Sequence, residues 1–229
     1  MKKVSLLLAI AVLMLQASVV AQKAKTKTTT TVGITAGITI SNMYGTVNNV
    51  DVKANSKTGI TFGMLVDKPL GKSHVSFQPS LNYVQKGQVY KDEVKQKSYL
   101  ALRYAELHAN FLYNSNTKTN FFIGGGPALS FDLPSAYVLK TSNATAANLD
   151  PKPKFTRAET SVIFGKDAAS NFKGLDYGVN LLAGFRMKCG FFAGINYTYG
   201  IRNLVPVEKA GDEIRNACFS VKFGFMFKK

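Results

Sequence analysis

The chain closes on Cys218-Phe-Ser-Val-Lys-Phe-Gly-Phe-Met-Phe227, in which Phe219, Val221, Phe223, Phe225 and Phe227 take every second position. A period of two is the signature of a strand whose side chains point alternately to opposite faces. The intervening Cys218, Ser220, Lys222, Gly224 and Met226 form a small, mixed face. The apolar row is therefore expected to meet lipid rather than a soluble core.

The alternation recurs along the chain, in Val32 to Ile40, Ile60 to Val66, Val75 to Tyr83, Ala105 to Tyr113, Phe121 to Phe131, Leu175 to Met187 and Phe191 to Ile201. The rows opposite are polar, as in His74, Ser76, Gln78, Ser80 and Asn82, a face that a dry core would not tolerate unpaired. Connections alternate between long, starting at Asn42, Lys86, Asp132 and Leu204, and short, at Asp67, Asn114 and Lys188. This predicts an all-β fold, an eight-stranded antiparallel transmembrane β-barrel with short periplasmic turns, long extracellular loops and both termini periplasmic. A lipocalin-like soluble barrel is the alternative, and it would turn the apolar rows inward. Lys86 to Lys97 reads as a charged loop. Asp132 to Phe172, with Pro134, Pro151 and Pro153 and no clean alternation, reads as a large surface loop.

The start of the chain supplies a route to the membrane. Met1-Lys2-Lys3, the apolar run Val4 to Leu15 and the closing Val19-Val20-Ala21-Gln22 predict a signal peptide over residues 1–21. A mobile polar lead over 22–30 and a barrel domain over 31–229 follow. Beyond the leader no stretch reaches the ~18 consecutive apolar residues of a spanning helix. Hydrophobic residues make up 46% of the chain, yet mean hydropathy is +0.00, as alternating strands with polar connections would give.

Charge narrows the partners. The formal net charge is +16, and removing Lys2 and Lys3 leaves the exported chain strongly basic. Outer-membrane lipid and lipopolysaccharide are the expected partners, and nucleic acid is not. Cys189 falls in a tight turn and Cys218 about nine residues before the end of the last strand, a separation of roughly 20 Å or more along a barrel wall. Two free thiols are expected.

Four segments, taken in order, carry a resemblance: Tyr104-Ala-Glu-Leu-His-Ala-Asn-Phe111, Phe122-Ile-Gly-Gly-Gly-Pro-Ala-Leu129, Asp176-Tyr-Gly-Val-Asn-Leu-Leu-Ala-Gly184 and Tyr197-Thr-Tyr-Gly-Ile-Arg-Asn-Leu204. Together they resemble the PorT-like outer-membrane β-barrel family over nearly all of the mature chain. The resemblance implies a compact barrel, in a family whose name derives from a member tied to protein secretion across the outer membrane. His108 stands where the family pattern has proline two residues after the glutamate, so the local wall is expected to differ.

Eight strands enclose a lumen just wide enough for their own side chains. The inward charges Glu106, Asp176, Arg186, Arg202 and Lys222, with His74 and His108, are expected to form a structural polar network, with no catalytic, cofactor or metal role. A second reading pairs the third and fourth strands so that His74 meets His108 beside Glu106, a set able to bind zinc or move protons. A lipid-modifying enzyme is disfavoured because both histidines point inward, away from acyl chains. The expected function is that of a non-enzymatic integral outer-membrane barrel with a plugged lumen. It would act through its loops or as an accessory of an envelope or secretion assembly. The Asp132 to Phe172 loop, carrying Lys140, Lys152, Lys154, Arg157 and Lys166, is the expected surface for a protein partner or sugar phosphates. From another class, a secreted basic binding protein is the alternative.

Overall fold

The computed structural model describes residues 29–52, 55–71, 73–92, 96–115, 120–142, 155–207 and 211–227. The expected signal peptide and most of the polar lead lie outside the described residues. The described residues form ten strands: β1 (Thr31–Val47), β2 (Val50–Asp51), β3 (Asn55–Pro69), β4 (Val75–Asp92), β5 (Gln96–Asn114), β6 (Asn120–Ser142), β7 (Phe155–Ser161), β8 (Leu175–Arg186), β9 (Phe191–Gly200) and β10 (Glu213–Phe227). Eight of them, all but β2 and β7, pair antiparallel in a ring. The ring is shut by β1 and β10, from Val32 opposite Phe227 to Thr46 opposite Glu213. Among the described residues no helix is long and apolar enough to cross a membrane.

Parity decides which face goes where. Ile34, Phe62, Phe111, Ile123, Leu181 and Phe223 stand on the outside with half or more of their surface exposed, whereas Thr39, Asn82, Glu106, Ser130, Asn180 and Ser220 are buried within the ring. The apolar rows thus face outward, the reverse of the lipocalin-like arrangement. Ring contacts knit neighbouring rows of this belt, as between Phe77 and Phe111, 5.1 Å apart.

The two ends differ. At one end the strand ends Pro69 and Val75, Asn114 and Asn120, and Arg186 and Phe191 are joined by connections of no more than five residues each. At the other, β4, β5 and β6 run 18, 19 and 23 residues, well beyond the ~9–11 a tilted spanning strand needs. On β5 the outward apolar row stops at Ala105, and Gln96 to Arg103 carries the strand roughly 25 Å further. The sequence expectation is corrected here in two places. Lys86 to Asp92 continue β4, and Gln96 and Lys97 open β5, held by antiparallel pairing from Lys86 opposite Leu102 to Asp92 opposite Lys97. Asp132 to Phe172 is strand through Ser142, and β7 then pairs back onto β6. Their side chains pair across strands, which the irregular pattern of prolines and lysines concealed.

Candidate functional site

The lumen is stacked in three layers. Nearest the short turns, Leu65, Leu112, Phe122, Leu182, Phe192 and Met226 form one buried apolar cluster. Glycines on the inward rows make room for its rings: a Cβ at Gly184 would sit 2.6 Å from Phe122 Cζ, and one at Gly224 would overlap the Phe192 ring. At the other mouth, Met43, Leu100, Leu102, Tyr104, Val162, Phe172 and Leu204 form a second cluster. Val162 and Phe172 come from the segment after β7, whose backbone is tied by Val162 N–H donating to Ser135 O at 2.9 Å and Lys173 N–H to Leu204 O at 2.9 Å.

Between these clusters lies a polar layer. Lys86 Nζ is 2.5 Å from Glu106 Oε1, Ser130 Oγ donates to the same oxygen at 2.8 Å, and His108 Nε2 is 3.1 Å from Glu106 Oε2. Register explains the set, since Ser130 stands opposite Glu106 on β6 and Ser80 opposite His108 on β4. Further round the ring Lys222 Nζ donates to Asn82 Oδ1 at 3.3 Å. Asn180 links Asn110 to Thr198 at 3.0 and 3.1 Å. Asn216 Nδ2 donates to Asp176 Oδ2 at 3.1 Å. Two ammonium groups and two carboxylates balance, as burial of charge requires. The cavity left beside this layer measures about 30 Å³, room for about one water.

Of the residues singled out from the sequence, Glu106, His108, Asp176 and Lys222 lie in this layer. Arg186 lies nearer the short turns, its Nη1 2.7 Å from Asp67 Oδ2 and its guanidinium 6.0 Å from the Phe122 ring. Two placements are corrected. Arg202 stacks over the outward-facing Tyr177 at 5.7 Å, because β9 ends at Gly200 and its parity lapses there. His74 is exposed at the rim, stacked on Tyr113 at 5.6 Å with Nδ1 2.9 Å from Asn114 O. Six residues of β4 direction separate His74 from Ser80, the partner of His108, which is roughly 20 Å. The two-histidine pair is not formed. Lys86, assigned from sequence to a loop, is the cation missed, and its even position in line with Gln78, Ser80 and Asn82 was the available signal. Cys189 is exposed and Cys218 buried, both free thiols.

A closed antiparallel ring with an apolar outer belt and a side-chain-filled interior defines an integral β-barrel membrane protein. The family model described as outer membrane protein beta-barrel domain matches residues 20–205. The chain belongs to that family and is an outer-membrane β-barrel protein. Among curated proteins no sequence matches. Solved structures similar to it include OprG from Pseudomonas aeruginosa, at 8% identity over 89% of this chain and 98% of that one, with a TM-score of 0.47. Neisserial surface protein A is similar at 12% identity over 86% and 97%, with a TM-score of 0.42. The attachment invasion locus protein Ail of Yersinia pestis, solved with the heparin analogue sucrose octasulfate, is similar at 9% identity over 87% and 99%, with a TM-score of 0.42.

Proposed function

We propose that the protein is a solute-tight, non-enzymatic outer-membrane barrel, standing with its short turns and both termini in the periplasm. It acts through the sheet that β4, β5, β6 and β7 raise outside the membrane, as a surface contact element or as an accessory of an envelope or secretion assembly. The layered lumen carries this reading. A hydrated ion moving along the axis would meet an apolar layer, a charge-balanced hydrogen-bonded layer and a second apolar layer, and would shed its water at each apolar one. Orientation is supported by the asymmetry of the ends, since outer-membrane barrels keep short turns on the periplasmic side. The accessory role is supported by the PorT-like pattern from Tyr104 to Leu204.

Planar-bilayer recording of the refolded, heat-modifiable protein tests the reading. The expected trace stays at baseline across ±~100 mV. Regular ohmic steps from protein that runs as folded on an unboiled gel would overturn it.

A further inference from the structure

The upper, outward face of β4 and β5 is not bare wall. Thr39 and Ser41, from the inward row of β1, donate to the carbonyls of Gln85 and Gly87 at 2.7 and 3.1 Å. Strand β4 is thereby drawn under β1 and β3, and its register with β3 slips between Ser56 and Thr61. Lys57, opposite Ser41 on β3, then lies across Gly87 and reaches the Tyr99 ring, 5.8 Å from its centroid. Lys140 of β6 approaches the same ring at 5.9 Å. The result is a cavity of about 510 Å³ lined by Lys57, Lys97, Arg103, Lys140 and Arg157 around Tyr99.

The electrostatics are one-sided. None of the described residues lining this cavity is a carboxylate. Arg157 has an acidic neighbour in Glu159, while Arg103 Nη1 donates to the Pro134 carbonyl at 2.7 Å and Lys57 Nζ to that of Thr58 at 3.3 Å. Lys57 is more than nine-tenths buried. Burial and the like charge of Arg103 both push its ammonium below the usual lysine range, a cost that a bound anion would relieve.

Its height is set by the strand. Arg103 is the next outward residue after Ala105 on β5, about 7 Å beyond the end of the lipid-facing row, and Tyr83 closes that row on β4 beside Phe62, with ring centroids 4.7 Å apart. The cavity thus opens at the level of lipid headgroups.

We propose that this groove binds the phosphate of a phosphorylated glycolipid headgroup of the outer leaflet, with Lys57, Arg103 and Lys140 as its donors and Tyr99 as the floor. The assignment rests on the orientation proposed above. A tetrahedral phosphate dianion suits a groove lined by several cationic donors and, among the described residues, no carboxylate, and Lys57 and Lys140 both approach the Tyr99 ring.

The test uses the full mature chain refolded in detergent, with fluorescent bis-phosphorylated lipid A as probe. Arg103→Gln/Lys140→Gln is compared with Lys68→Gln/Lys188→Gln, which removes the same charge near the short turns. The expected result is binding weakened at least about tenfold by the first pair and by less than about twofold by the second, with lipid A lacking its phosphates binding poorly to all. Equal binding by both pairs, equal binding of the dephosphorylated lipid, or preference for a soluble acidic peptide over lipid A would overturn the proposal. Heat-modifiability and conductance on the same samples separate this failure from failure of the closed-barrel reading. A conducting protein that still shows the tenfold difference sinks the latter alone.

Discussion

Breaking the ion pair at the centre of the lumen should cost more than removing both partners. At 2.5 Å and an effective dielectric near ~20, the attraction between Lys86 and Glu106 is about 6–7 kcal/mol, much of it offset by the desolvation of two charges. Glu106→Ala leaves the Lys86 ammonium buried without its counter-charge and deprives Ser130 and His108 of their acceptor. The expected loss is about 3–5 kcal/mol. Lys86→Ala should cost less, because Glu106 keeps Ser130 and His108. Lys86→Met/Glu106→Leu fills the space with apolar volume and should recover at least half of the Glu106→Ala loss. The chain has no tryptophan, so urea unfolding in detergent is best followed by the gel shift between folded and boiled forms. A Glu106→Ala loss below about 1 kcal/mol, or a double variant no better than the sum of two single alanine losses, would refute the account of the polar layer.

Other consequences are simpler to check. Phe122→Ala removes a buried ring wedged against Gly184 and beside Arg186, and should cost about 3–5 kcal/mol in the same assay; a loss under ~1 kcal/mol would mean the lower cluster does not close the barrel. Cys189, exposed in the β8–β9 turn, should react with a membrane-impermeant maleimide after the outer membrane is permeabilised and not on intact cells. Cys218 should stay unmodified until the protein is unfolded. Labelling of Cys189 on intact cells would invert the proposed orientation.

Much of the barrel was legible because lipid imposes a strict rule: wherever a strand crosses the belt, every second residue must be apolar. Phe121 to Phe131 and Leu175 to Met187 obey it, and their pairing follows from order alone. The rule lapses above the membrane, where Leu100 and Leu102 turn inward to a protein cluster and Tyr99 lines a basic groove, so this stretch of β5 carries no apolar outward row. Inward residues were recognisable as inward, but not as layers. Layering depends on shear, which brings Leu65, Leu112 and Phe192 to one height from distant positions in the chain. Lys57 was hidden for a related reason. It keeps the inward parity of Thr61 and Leu65, and its approach to Tyr99 arises from β4 passing under β3.

The long-strand end joins two roles in one strand, because Leu100, Leu102 and Tyr104 on the inward row of β5 cap the lumen while Tyr99, Ala101 and Arg103 on the outward row line the basic groove. Stability of the cap and geometry of the groove should therefore be coupled, and a matched pair of leucines isolates the coupling. Leu102 and Leu112 are both fully buried on β5, one in the upper cluster and the other in the lower. Each Leu→Ala change should cost about 2–5 kcal/mol. Leu102→Ala removes packing directly behind the groove and should also weaken lipid A binding several-fold, while Leu112→Ala, ten residues or roughly 33 Å of strand away, should leave it unchanged. If both variants lose stability and bind alike, the groove is held by β1 and β3 alone, and the register slip between Ser56 and Thr61 becomes the element on which anion binding depends.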